Sequence, residues 1–183
     1  MHMGDTMENR FGFIRENLDI KILILFILGR LPEPISYDKL TDLAMCDNGI
    51  TYFAFAECLA DLIATGHVEE LENGYVITEK GRENGETTEF SIPYSVRIKA
   101  ERRTARVAYA QRRDAMISVS REIRSRGGCM MNMSMSDDNG PVLTLGLLVG
   151  TESEANAIER CFRNSAEDLY GKIIQLCLEN SDI

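Results

Sequence analysis

The sequence predicts a mostly α protein of α+β class, built in three consecutive parts. Three observations predict it. Between residues 18 and 65, apolar residues recur at helical spacing in three separate runs. Asn73-Gly74 then separates two short stretches rich in strand formers, a strong hairpin signal. From Tyr94 to Arg124 neither Pro nor Gly interrupts the chain, so one long helix is expected. The parts are residues 1–92 (three helices and a hairpin), residues 93–126 (a basic connecting helix) and residues 127–183 (a ββα unit for dimerisation or sensing).

The first helix spans residues 18–31. Ile20, Leu23, Ile24, Ile27 and Leu28 mark its inner face, and Gly29 and Pro32 end it. Ser36 is the candidate N-cap of the second helix, with Tyr37, Leu40, Leu43 and Ala44 turned inward. Cys46-Asp47-Asn48-Gly49 is a tight turn whose Asn and Gly tolerate positive φ. In the third helix, Ile50–Thr65, the stripe Tyr52, Phe55, Leu59, Leu62 and Ile63 packs inward. Ile50, Ala54, Glu57 and Asp61 then form the outward face, and Gly66 ends the helix. Thr78 is placed to cap a further helix after the hairpin.

Pro93 suits the first turn of the long helix, where its missing N–H costs nothing. Tyr94, Ile98, Ala105, Tyr109, Met116 and Ile123 fall on one side of it. Tyr109, Met116 and Ile123 recur every seven residues, as at a helix–helix seam, and are the predicted dimer interface. Lys99, Arg102, Arg103, Arg106, Arg113, Arg121 and Arg124 lie along another side. In the tail, Met131, Met133 and Met135 alternate with polar residues, and VLTLGLLVG is a nearly continuous apolar strand. Thr151-x-x-Glu154 is a capping box that opens a helix burying Ala155, Ile158, Phe162, Leu169, Ile173 and Leu176.

Composition narrows the function classes. Five cysteines without a CxxC pair read as free thiols in a reducing cytoplasm. His2 and His67 are the only histidines, too few for a zinc site or a histidine-based catalytic pair. No nucleotide-binding glycine motif, P-loop or GxSxG is present. No enzyme, metal or cofactor is therefore expected. The longest apolar run, Ile22–Leu28, is far short of the ~20 residues that span a bilayer, and no membrane partner is expected. Asp137-Asp138-Asn139-Gly140 reads as a hairpin turn, because the other ligands of a calcium loop are missing.

Net charge is −9, which taken whole disfavours nucleic acid. Its distribution does not. Residues 1–96 carry a net −10, residues 97–126 a net +7 and residues 127–183 a net −6. A polyanion responds to the local field of the middle segment.

Helix, helix, helix and hairpin, in that order, is the layout of a winged helix-turn-helix. The linking residues are Leu59-x-x-Leu62-x-x-x-Gly66-x-Val68, then Tyr75-Val76-Ile77-Thr78-Glu79-Lys80-Gly81. On these residues the chain resembles the winged-helix regulators of the PadR and MarR type. With Ile92-Pro93 before the long helix and the tail that follows, it looks most like a bacterial winged-helix family of unknown function. The resemblance implies a dimeric DNA-binding transcriptional regulator; it supplies no effector.

The third helix departs from that pattern, since its outward face lacks Arg, Lys, Asn and Gln. Thr51 is its one evident donor, and the hairpin tip (Glu69, Glu70, Glu72) is acidic. The expected phosphate contacts are therefore Lys99, Arg102, Arg103, Arg106 and Arg113. The alternative expectation is a winged helix used for protein–protein contact without DNA, which the acidic surfaces favour.

Overall fold

The structure is a computed structural model that describes residue 14, residues 16–125 and residues 127–179. It is a mixed α+β fold with two small antiparallel sheets, divided into two compact units, residues 1–111 and 112–183.

The first unit is arranged around α1 (Asn17–Leu28). Ile20 and every residue from Ile22 to Leu28 are buried, so from Ile22 onward this helix is apolar on all sides, and it packs against α2, α3 and α4. α2 (Tyr37–Ala44) has Ser36 at its N-cap position, but the hydroxyl makes no capping bond. α3 (Tyr52–Ala64) buries Phe55, Cys58, Leu59 and Leu62. Tyr37 meets Tyr52, Phe55 and Tyr75 ring to ring, with centroids 5.8–6.1 Å apart. That cluster joins α2, α3 and the hairpin.

The turn before α3 is built differently from the expectation. Gly49 does not take positive φ. It is required because an added Cβ would lie 2.3 Å from the Ile14 carbonyl oxygen. Buried Asp47 accepts hydrogen bonds from the Ile14 and Gly49 N–H groups. Ile50, expected on the outward face, is buried.

β1 (Val68–Leu71) and β2 (Gly74–Ile77) form the hairpin, with Glu72 and Asn73 in the turn. Ile35 pairs with Tyr75 as a third, one-residue strand. This contact explains Gly74, whose φ is +138° and whose Cβ would lie 2.3 Å from the Ile35 oxygen. α4 (Glu79–Thr88) is capped by Thr78, whose Oγ1 accepts from the Gly81 N–H.

α5 (Tyr94–Ala115) is shorter than predicted. Residues Ile117–Ile123 form strand β3, with Ile117, Val119, Arg121 and Ile123 alternating against Ser118, Ser120 and Glu122. The connecting helix therefore does not reach residue 126, and the second unit is βββα instead of ββα. β3 pairs with β4 (Cys129–Asp137), which pairs with β5 (Gly140–Val149), all antiparallel. α6 (Glu152–Glu179) covers one face and has non-helical backbone at Ser165. Met131, Met133 and Met135, together with Ile117, Val149, Ala155, Phe162 and Ala166, form the core of this unit. The capping box is present: Glu154 N–H donates to Thr151 Oγ1, and Thr151 N–H donates to the Glu154 carboxylate. In the β4–β5 turn, Asp137 accepts from the Asn139 N–H.

Candidate functional site

The outward face of α3 is apolar with two carboxylates, Glu57 and Asp61. Thr51 is exposed and caps the helix by accepting from the Ala54 N–H, which leaves its own O–H free to donate outward. Phe53 is 79% exposed, an aromatic side chain set in solvent at the first turn. Sequence reading passed over it, although the inward stripe of Tyr52, Phe55, Leu59 and Leu62 leaves position 53 outside. Tyr52, assigned to that stripe, is 58% exposed and reaches inward only as far as the Tyr37 ring. Burial and a side-chain hydrogen bond with Tyr52 push the Tyr37 phenol up to about 12, the hydrogen bond being the larger cause. Glu57 is exposed. Asp61 is ion-paired to Lys21 at 2.9 Å, and that pairing raises the lysine pKa.

The hairpin tip is acidic and exposed at Glu69, Glu70 and Glu72. Tyr75 donates its hydroxyl to Glu70 at 2.9 Å. The junction between α3 and the hairpin is tied by the residues of the Thr-Glu-Lys-Gly stretch. Thr78 donates to the Gly66 carbonyl at 2.8 Å, and Lys80 to the Thr65 carbonyl at 2.7 Å. Gly81 packs directly on the His67 carbonyl, since a Cβ there would sit 2.1 Å from it. That stretch is structural.

α5 buries Val96, Ala100, Thr104 and Ala108. Lys99, Arg102, Arg103 and Arg106 are all exposed and fall within about 100° of the helix circumference, along one flank of that stripe. Among the described residues, no carboxylate oxygen lies within 4.0 Å of any of the four cations. Arg103 donates to the Asp42 carbonyl at 3.1 Å, which sets the basic stripe against α2. Burial raises the Cys46 thiol pKa in the turn after α2, and the charges of Arg103 and Lys99 oppose that rise. Both cations therefore lie near the α2–α3 turn.

The other expected site residues separate from this group. Arg113 belongs to the second unit and pairs with its neighbour Asp114 at 3.1 Å. Arg121, on β3, pairs with Glu159 of α6, which also receives Arg163 at 3.0 Å. These two arginines hold the Glu159 carboxyl below its usual range. They line an open cleft of about 710 Å³ together with Glu152, Asn156 and Arg160. Of the predicted seam, Tyr109 is 63% exposed on α5, Met116 follows the end of that helix and Ile123 is 91% exposed on β3. The three do not share a helix, so the seven-residue repeat is not a helical seam.

His67 is held between two side chains. Thr65 Oγ1 lies 2.8 Å from Nδ1 and Asn84 Nδ2 lies 2.7 Å from Nε2. Asn84 donates, so Nε2 must keep its lone pair and the ring is neutral. Burial, then the charge of Lys80, lowers its pKa. His2 lies outside the described residues. No group of three or more His, Cys, Asp or Glu among the described residues is placed to hold a metal ion. None of the five cysteines is in a disulfide, and no helix among the described residues is long and apolar enough to cross a membrane.

No curated protein matches the chain, and no solved structure matches it. A family model does, over residues 20–177, and its description is a domain of unknown function (DUF4364). With that match covering most of its length, the chain belongs to the DUF4364 family.

Proposed function

We propose that this protein is a homodimeric, DNA-binding transcriptional regulator of the cytoplasm, with a winged-helix domain of the PadR and MarR type. The helix order α1–α2–α3, the β1–β2 hairpin and the Ile35–Tyr75 pairing support the winged-helix reading. The observation that carries the DNA reading is the set of exposed cations Lys99, Arg102, Arg103 and Arg106, unpaired with carboxylates among the described residues, two of which, Lys99 and Arg103, lie near the α2–α3 turn. Phosphates release counterions when such cations meet them, and this supplies affinity despite the global charge of −9. The Lys21 ion pair offsets the charge of Asp61, one of the two carboxylates on the outward face of α3.

The test is fluorescence anisotropy with a generic duplex over a range of salt concentrations. Lys99→Glu, Arg103→Glu and Arg106→Glu should each weaken binding. Each should also flatten the slope of log K against log salt by about one. Unchanged affinity and slope in all three variants would discard the assignment.

A second reading has its own observation. Phe53 and Tyr52, exposed aromatic side chains at the first turn of α3, have the composition of a protein contact surface. On that reading the winged helix binds a protein and not DNA. It would be favoured by the absence of duplex binding at micromolar protein and low salt.

A further inference from the structure

From Phe53 to Ala64 the outward residues of α3 are Phe53, Ala56, Glu57, Ala60 and Ala64. Asp61 also reaches solvent, but Lys21 holds it. None of the five carries a hydrogen-bond donor. Phe53 offers an apolar edge and Glu57, one turn further on, offers a pure acceptor. The three alanines keep the rest of the face shallow, so the helix can approach a flat surface closely.

The major-groove edges of DNA can be sorted by what such a face can recognise. Guanine and adenine present N7 and O6 or N7 and N6, and recognising them calls for donors or amide side chains. The pyrimidines present the opposite need. Thymine carries an apolar C5 methyl, and cytosine carries an N4 amino group that donates. We infer that α3 reads DNA from the pyrimidine side: Phe53 takes the thymine C5 methyl, and Glu57 accepts from cytosine N4. Phe53 and Glu57 then leave the purine strand unread.

This inference rests on the DNA reading above and adds the residues that choose the sequence. It assigns the two tasks to different elements. Lys99, Arg103 and Arg106 supply affinity without sequence, and Phe53 and Glu57 supply sequence with little affinity. It also gives the carboxylate of Glu57 a favourable contact at the base edge, where in isolation it only repels phosphates.

The experiment starts from a duplex selected by the full chain from a random pool. Every dT is then replaced by dU, which removes the C5 methyl and leaves the hydrogen-bonding edges intact. Loss of one methyl contact should weaken binding about fourfold. Phe53→Ala should weaken binding to the dT duplex and erase the difference between dT and dU. A repeat selection with Glu57→Ala, which removes the acceptor, should lose its preference at C·G positions while keeping the T·A ones. Equal binding of the dT and dU duplexes by the wild-type chain would overturn the inference. So would a Phe53→Ala variant that still distinguishes them. If the duplex binds with a steep salt slope but selection yields no sequence, α3 reads nothing and only the phosphate-binding account survives. If no duplex binds, both readings fall, and the exposed aromatic belongs to a protein contact.

Discussion

His67, Gly81 and Thr104 each make a different prediction. His67 is neutral in the folded state, and its pKa is lowered by burial and by Lys80. The unfolded chain takes up a proton near the ordinary histidine value of about 6.5, before the folded chain does. The stability that this residue contributes is therefore complete above that pH and declines as pH falls through the window below it. Urea denaturation at pH 8 and pH 5.5 should show a larger loss for wild type than for His67→Gln. Gly81→Ala forces a Cβ against the His67 carbonyl, and overpacking of that kind costs about 1–3 kcal/mol. The midpoint of thermal unfolding should fall accordingly. Thr104 is fully buried and its hydroxyl has no partner among the described residues. Thr104→Val should raise stability by about 1 kcal/mol, measured by the same denaturation. Gly66, Thr78 and the Thr151–Glu154 box were legible in the sequence because capping chemistry is local. The reason for Gly49 and Gly74 was not, because the crowding atoms come from Ile14 and Ile35, far along the chain.

At the level of elements, the three helices, the hairpin and the final helix were all legible, and the long helix was legible only to Ala115. Its extension to residue 124 rested on the absence of Pro and Gly, which permits a helix without requiring one. The stretch Ile-Ser-Val-Ser-Arg-Glu-Ile carries a two-residue alternation with β-branched residues on one face, and that signal prevails. The expected seam through Tyr109, Met116 and Ile123 was lost with it. The helical part of the same side persists. Tyr94, Ile98, Ala105 and Tyr109 lie along the other flank of the buried stripe of α5, away from the basic one, and the two tyrosines are 70% and 63% exposed. Arg97 stacks over Phe90 and Tyr94, with 4.8 and 5.7 Å to the ring centroids. The homodimer proposed above predicts that this side of α5 carries the contact between subunits. Tyr94→Glu combined with Tyr109→Glu should then convert a dimer to a monomer in sedimentation velocity, with the helical circular dichroism unchanged. A variant that stays dimeric places the contact on another surface.

For the molecule as a whole, two hydrophobic clusters share no residue: one is built around α1 and the other around Met131, Met133 and Phe162. Each unit should therefore respond to its own core substitutions. Leu59→Ala should lower protection from hydrogen exchange in the first unit, and Phe162→Ala in the second. Core truncations of this kind cost about 2–5 kcal/mol. A loss that spreads equally through both units for both variants would mean a single cooperative block. The candidate site was half legible at this scale. The segmental charge pointed to α5, but which cations are free depended on Asp114 and Glu159, whose positions only folding determines.

The burial of α1 on every side has a consequence for sequence variation. A helix with a wet side records its period as a rhythm of tolerated and forbidden replacements. From Ile22 to Leu28 there is no wet side. A library of single replacements should therefore show a solid block of intolerance across those seven positions, polar replacements failing at each one. α5 should show the four-residue beat of Val96, Ala100, Thr104 and Ala108 instead.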